Sequence, residues 1–185
     1  MAGRLPLAPA RPAGDAVSPV DWSRWTVILL KPDCVARGLV DDVLAWVARE
    51  VTVTGQKTLT VTSEQIFAHY DDMLAPHLSA EFGFDIAADL RRLYVGHQVA
   101  VALGHGDGAA PRVRRMLGDT DPSLAGTDTI RGYFGVDSLA TARGENRLIN
   151  NVIHTSDHEG VVERDFGIWY GPSHLHLLAN LRSAS

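Results

Sequence analysis

An α+β fold is the class that the sequence predicts, and three observations predict it. Short apolar runs with β-branched residues alternate with stretches of helical spacing. Clusters of Gly, Pro and Asp separate them. Their order is strand, helix, strand, helical material, strand, helix, loop, strand, helix. That order reads as a ferredoxin-like β-α-β-β-α-β antiparallel sheet with a helical hairpin inserted in the middle and a C-terminal helix.

The elements follow in order. Trp25 to Leu30, "WTVILL", is a short apolar run stopped by Lys31-Pro32-Asp33, as a buried strand followed by a turn would be. From Leu39, apolar residues at Val40, Val43, Leu44 and Val47 keep helical spacing. Gly55 breaks the chain before "QKTLTVT", which alternates like a half-buried strand. Ser63 opens a short helix that ends near Tyr70, and helical material continues to Gly96. "HQVAVALG" is a third strand. "GAAPRVRRMLG" is a helix with Pro111 in its first turn and Gly118 at its stop. A loop spans about 119–146, "RLINNVIH" is the last strand, and Ser156 with Glu159 predicts a capping box on the last helix.

Bulk composition narrows the function. A length of 185 residues fits one domain with some terminal excess. The net charge of −5 gives no general attraction to nucleic acid or an acidic membrane, so neither is expected as a partner. An RNA-binding module is further disfavoured by the lack of paired strand aromatics. No apolar stretch of about 18 residues occurs, so no membrane-spanning helix is expected. Cys34 is the only cysteine, which rules out an intramolecular disulfide and a Cys-based zinc cage. A reducing cytoplasm is the simplest location. Residues 1–24 are rich in Pro, Ala and Gly and read as a flexible arm, and residues 173–185 as a tail.

"NNVIHTSDHEG" carries the chemistry. His154 sits where a strand meets a helix start, and such a start offers free N–H groups to an oxyanion. A lone histidine is more often a packed one, so its neighbours decide. Ser156 and Asp157 lie at the helix start, with Glu163 and Asp165 further along. A carboxylate accepting from one ring nitrogen leaves the other free to attack. Asn151 lies three residues before His154. Strand alternation alone would put it on the opposite face, so only a twist or a bulge joins the two. Lys31 ends the first strand as a point charge that can meet a phosphate, and Arg114 and Arg131 offer planar forks to phosphate oxygens near Thr120. Arg112 and Arg115 read as solvated, and the pair His174 and His176 is too sparse for a metal site.

"TVILLKPDCVARGLV", "HY", "RRMLGDTDP", "TIRGYFG" and "NNVIHTSDHEG…WYG" occur in the order seen in nucleoside diphosphate kinases, and the chain resembles that family over residues 25–172. The resemblance implies a γ-phosphate transfer from a nucleoside triphosphate, such as ATP, to a nucleoside diphosphate through a phosphohistidine. It makes His154 the nucleophile, and Lys31, Arg114, Arg131 and Thr120 the phosphate-holding residues. Tyr70 borders the transferred group, and Asn151 contacts the sugar region. Phe82 or Phe84 stacks on the base, and Ser156 and Asp165 orient the histidine. Mg²⁺ bridges the nucleotide phosphates, with Asp157 a candidate to hold it through water, and a homo-oligomer is expected.

The chain departs from the family in places. Thr155 replaces a glycine, and either crowds the phosphate pocket or adds a hydroxyl. Asp165 replaces a glutamate and is one methylene shorter. Asn150 stands where an arginine is common. The segments from Tyr70 to Gly96 and from Arg131 to Asn151 are longer than usual. The alternative is a nucleotide-binding or regulatory protein on this fold with little turnover.

Overall fold

The computed structural model describes residues 20–179. Most of the expected N-terminal arm, and the end of the expected tail, therefore lie outside the described residues. A four-stranded sheet forms the centre: β1 (Trp25–Leu30), β2 (Thr52–Thr60), β3 (Gln98–His105) and β4 (Ile153–Thr155), in the order β2-β3-β1-β4. Every neighbouring pair is antiparallel. This is the expected α+β, ferredoxin-like sheet.

β1 is buried at all six positions because helices cover both faces of the sheet. Val27 and Leu29 face one core, with Val101 and Leu103 of β3. Ile28 and Leu30 face the other, with Ala100 and Ala102. The period-two alternation of a strand assigns the faces. Helices α1 (Pro32–Ala36) and α2 (Val40–Val47) follow β1, and the second core takes Cys34 from α1 and Val43, Leu44 and Val47 from α2. The expected turn after Leu30 is thus a short helix with proline in its first turn. β2 begins before Gly55 and passes through it. Gly55, at φ +62°, absorbs a register shift between Thr54 and Lys57, so the expected break is a bulge.

α3 (Ser63–His69) is capped by Thr62, which with Gln65 forms a reciprocal capping box. The inserted helical material is a hairpin of α4 (Pro76–Phe82) and α5 (Ile86–Tyr94). α6 (Ala109–Leu117) packs Val113 and Leu117 into the second core and stops at Gly118. There φ is +77°, and a side chain would overlap Thr129. The expected loop over 119–146 contains two short helices, α7 (Ile130–Phe134) and α8 (Leu139–Gly144).

Three carboxylates pin this segment. Asp121 accepts from Leu139 N at 3.1 Å, and Asp89 of α5 accepts from Leu148 N at 2.7 Å. Asp137 accepts from Asn150 N at 3.0 Å and from both terminal nitrogens of Arg147.

The last strand is shorter than expected. Val152 adopts φ +71°, a conformation that breaks the ladder, so pairing starts only at Ile153. The expected Ser156–Glu159 capping box is absent. The Ser156 hydroxyl turns inward and accepts from Val27 N at 3.2 Å, while His158 caps a short turn before α9 (Val162–Trp169). Val20 and Trp22 pack on the first core, and α10 (His176–Ala179) follows Leu175 with Leu178 buried.

Candidate active site

A cavity of about 550 Å³ opens on the face of the sheet that carries Leu29. Register builds its floor. Leu29 pairs with His154, so the imidazole projects on the same face, and Lys31 keeps the parity of Val27 and Leu29. Lys31 and His154 both line the cavity. The kink at Val152 removes the alternation that would have separated Asn151 from His154, and Asn151 lines the cavity too. Thr155, paired with Ile28, faces the opposite core and is fully buried. It therefore neither crowds the pocket nor offers it a hydroxyl, which settles that departure.

Lys31 is nearly fully buried and donates to Ile149 O and to Asn151 Oδ1, both at 2.8 Å. Asn151 Nδ2 in turn donates to Thr120 O at 2.9 Å. One network thus ties β1, the loop after α6 and the approach to β4. Burial pulls the Lys31 ammonium down to about 8, with Asp33 partly offsetting it. Arg131, also buried, donates to Ile153 O at 3.0 Å and reaches the carbonyls of Gly118 and Asp119 at 3.4 Å. Its Nε has no partner, and burial lowers it to about 10, so it stays charged at neutral pH. Arg114 pairs with Asp157 at 2.5 Å across the mouth, both side chains half exposed.

His154 lies among these cations. Burial first, then His69, Arg114, Arg131 and Lys31, hold its imidazole well below the usual histidine value, so it is neutral at physiological pH. Two rings flank it: Tyr70 at 5.5 Å and His69 at 4.9 Å between centroids, the second nearly perpendicular. The Tyr70 and Tyr94 hydroxyls lie 3.1 Å apart. Phe82 and Phe84 line the end of the cavity formed by α4 and α5, with centroids 6.0 Å apart.

The two expected orienting residues sit differently. Ser156 is buried and bonded to β1. Asp165 lines the cavity but makes no hydrogen bond to His154. Its carboxylate contacts Arg164 at 3.2 Å, and burial raises its pKa against the pull of Ser156 and Arg164. Sequence reasoning quoted His69 in the "HY" pair but gave it no role of its own. It missed Leu139, Ala142 and Arg143 of α8, which wall the cavity opposite α5.

The arrangement suits one task. A neutral imidazole with a free lone pair stands beside three cations, in a cavity with an apolar end for a flat ring. A family model described as nucleoside diphosphate kinase matches residues 24–175. The chain is 33% identical over 152 residues to the nucleoside diphosphate kinase of Natronomonas pharaonis, covering 81% of this chain and 88% of that one. It is 34% identical over 146 residues to that of a Nocardioides species, covering 78% and 95%. Among solved structures it is similar to a transition-state mimic of the nucleoside diphosphate kinase of Borrelia burgdorferi with bound vanadate and ADP. That match has 30% identity and a TM-score of 0.72, over 81% of this chain and 88% of that one. The enzyme of Pyrobaculum aerophilum matches with a TM-score of 0.67 at 26% identity, over 84% and 98%.

Proposed function

The chain belongs to the nucleoside diphosphate kinase family, and on that premise we propose that His154 is the residue through which the phosphoryl group passes. The reaction is the family's own: the γ-phosphate of a nucleoside triphosphate goes to a nucleoside diphosphate. A nucleotide-binding or regulatory protein with little turnover is not favoured by these relatives. The observation that carries the proposal is the neutral His154 ring beside Lys31, Arg114 and Arg131 on one cavity wall.

The bare ring nitrogen of His154 attacks the γ-phosphorus. An N–P bond forms, the bond to the β,γ-bridging oxygen breaks, and the diphosphate leaves with that electron pair. A second diphosphate then enters and its terminal oxygen takes the phosphoryl group back, a two-step covalent route with ping-pong kinetics. In the transition state, charge is spread over the three peripheral oxygens of the transferred group. Lys31, Arg131, Arg114, Thr120 and Tyr70 line the same cavity as His154, which supports the three cations meeting that charge with Thr120 and Tyr70 beside it. The Arg114–Asp157 pair already fixes the Arg114 fork at the mouth. Asn151 meets the sugar, and Phe82 and Phe84 offer faces to the base. Stacking needs only a flat ring, which supports acceptance of several bases.

Among the described residues, no group of three or more His, Cys, Asp or Glu could hold a metal. Magnesium would therefore be carried on the nucleotide phosphates, with Asp157 reaching it through water. When bound, the ion draws charge from the phosphate oxygens. A homo-oligomer in the cytoplasm completes the proposal and is supported by family membership. Incubation with γ-labelled ATP is expected to give an acid-labile, base-stable labelled protein, and His154→Ala is expected to lose the label. An equal label on that variant overturns the assignment.

A further inference from the structure

His69 is among the most enclosed polar side chains in the molecule, and one of its nitrogens is unused. The residue is 4% exposed. Its Nδ1 accepts from Trp169 Nε1 at 3.2 Å. An indole N–H can only donate, so Nδ1 carries the lone pair and the proton of the neutral ring sits on Nε2. Nε2 is buried and has no partner among the described residues. A buried donor left unpaired costs about 1–3 kcal/mol, so such groups are uncommon and call for an explanation.

The surroundings of His69 supply one. Its ring lines the nucleotide cavity and stands perpendicular to His154, 4.9 Å away between centroids. At that separation the His69 ring is within a few ångströms of any group carried on His154. Tyr70 and Trp169 close the other sides, at 4.7 and 5.3 Å. Asp165 is the nearest carboxylate, 3.7 Å from Nδ1, and it meets the nitrogen that is already an acceptor. Among the described residues, no acceptor therefore claims Nε2–H.

We propose that His69 is a neutral hydrogen-bond donor to the phosphoryl group once it is on His154, so that the covalent intermediate supplies the partner that the resting site lacks. The inference rests on the proposed role of His154. The chemistry favours a neutral donor. Three cations already surround the imidazole, and a fourth would further depress its nucleophilicity. An N–H dipole stabilises phosphoryl oxygens without adding net charge. Burial, with Arg164 nearby, takes His69 down to about 3, so the donor keeps one protonation state across the physiological range.

The test uses the full-length protein, magnesium and γ-labelled ATP. His69→Leu removes the donor. His69→Gln restores an N–H at nearly the same reach and an acceptor for Trp169. His69→Leu is expected to slow single-turnover labelling of His154 by about 100-fold, the effect of losing one donor to a charged transition state. The KM for the acceptor diphosphate is expected to stay within about twofold, because the donor meets only the transferred group. His69→Gln is expected to recover most of that rate. In ¹⁵N spectra of the wild type, the His69 Nε2 resonance should shift on phosphorylation and return when ADP removes the phosphoryl group.

An Nε2 resonance that ignores phosphorylation overturns the proposal, and this readout needs no folded variant. So does a Gln variant as slow as the Leu variant at equal thermal stability. If the wild type takes no label at all, the reading of His154 fails instead, and the two failures are thereby distinguished.

Discussion

Lys31 shows how a single side chain can set a pH limit. Its folded pKa lies near 8 because the ammonium is buried, and it is charged below that value and neutral above it. The free-enzyme parameter kcat/KM is therefore expected to fall as pH rises through about 8, by loss of one phosphate-binding charge. Lys31→Arg should keep the charge and move that limb upward. A profile flat to pH 10 would show that Lys31 does not meet the nucleotide. No acid limb is expected near 6.5, because burial and its neighbours keep His154 neutral there. Lys31, Arg114, Arg131 and His154 could be nominated from the sequence because strand ends, a helix start and charge type pointed to them and the resemblance joined them into one set. His69 stood in the quoted "HY" pair, but its role could not be read there, because its orphaned nitrogen and its tautomer are properties of packing against Trp169.

Among the elements, the segment from α7 to β4 repays attention. Its geometry depends on Asp137, which is 8% exposed in its side chain and pairs with Arg147. Burial alone would raise the Asp137 carboxyl. Hydrogen bonds from Arg147 and from the N–H groups of Asn150 and Ser138 outweigh it and bring the group to about 2. A depressed carboxylate contributes stability above its unfolded pKa of about 3.9 and loses it as pH falls through the folded value. The segment is therefore expected to loosen between about pH 4 and 2. Asp137→Asn should weaken it at neutral pH by about 1–3 kcal/mol, since Arg147 keeps Glu145 but the segment loses charged hydrogen bonds to Arg147 and Asn150. Hydrogen exchange over residues 137–150 reads this, and nucleotide KM should rise with it. Unchanged exchange would mean that Asp121 and Asp89 hold the segment alone.

The same stretch marks where sequence reading stopped. α7 and α8 are 5 and 6 residues long, too short to display a helical period. β4 was read too long because nothing in "INNVIH" announces that Val152, a β-branched residue, turns left-handed. β1, β3 and α5 were legible because their apolar residues answer to the large cores on either side of the sheet.

For the molecule as a whole, nucleotide binding should register as stability. A ligand at 100 times its Kd adds about 2.7 kcal/mol to the folded state. For a chain of 185 residues, with about 2–4 °C per kcal/mol, ADP should raise Tm by about 5–10 °C. No shift at saturating ADP would mean that the cavity does not take nucleotide. That cavity draws its wall from Lys31, from Tyr70 and Tyr94, from Arg114 and Arg131, and finally from His154 and Asp165. The His154 ring sits on a three-residue strand that can join the sheet only after β1 is in place. On the proposed role of His154, a chain still emerging from the ribosome thus has cations and aromatic faces but no nucleophile. It stays chemically silent until its final quarter docks, so turnover reports the finished molecule and never a fragment of it.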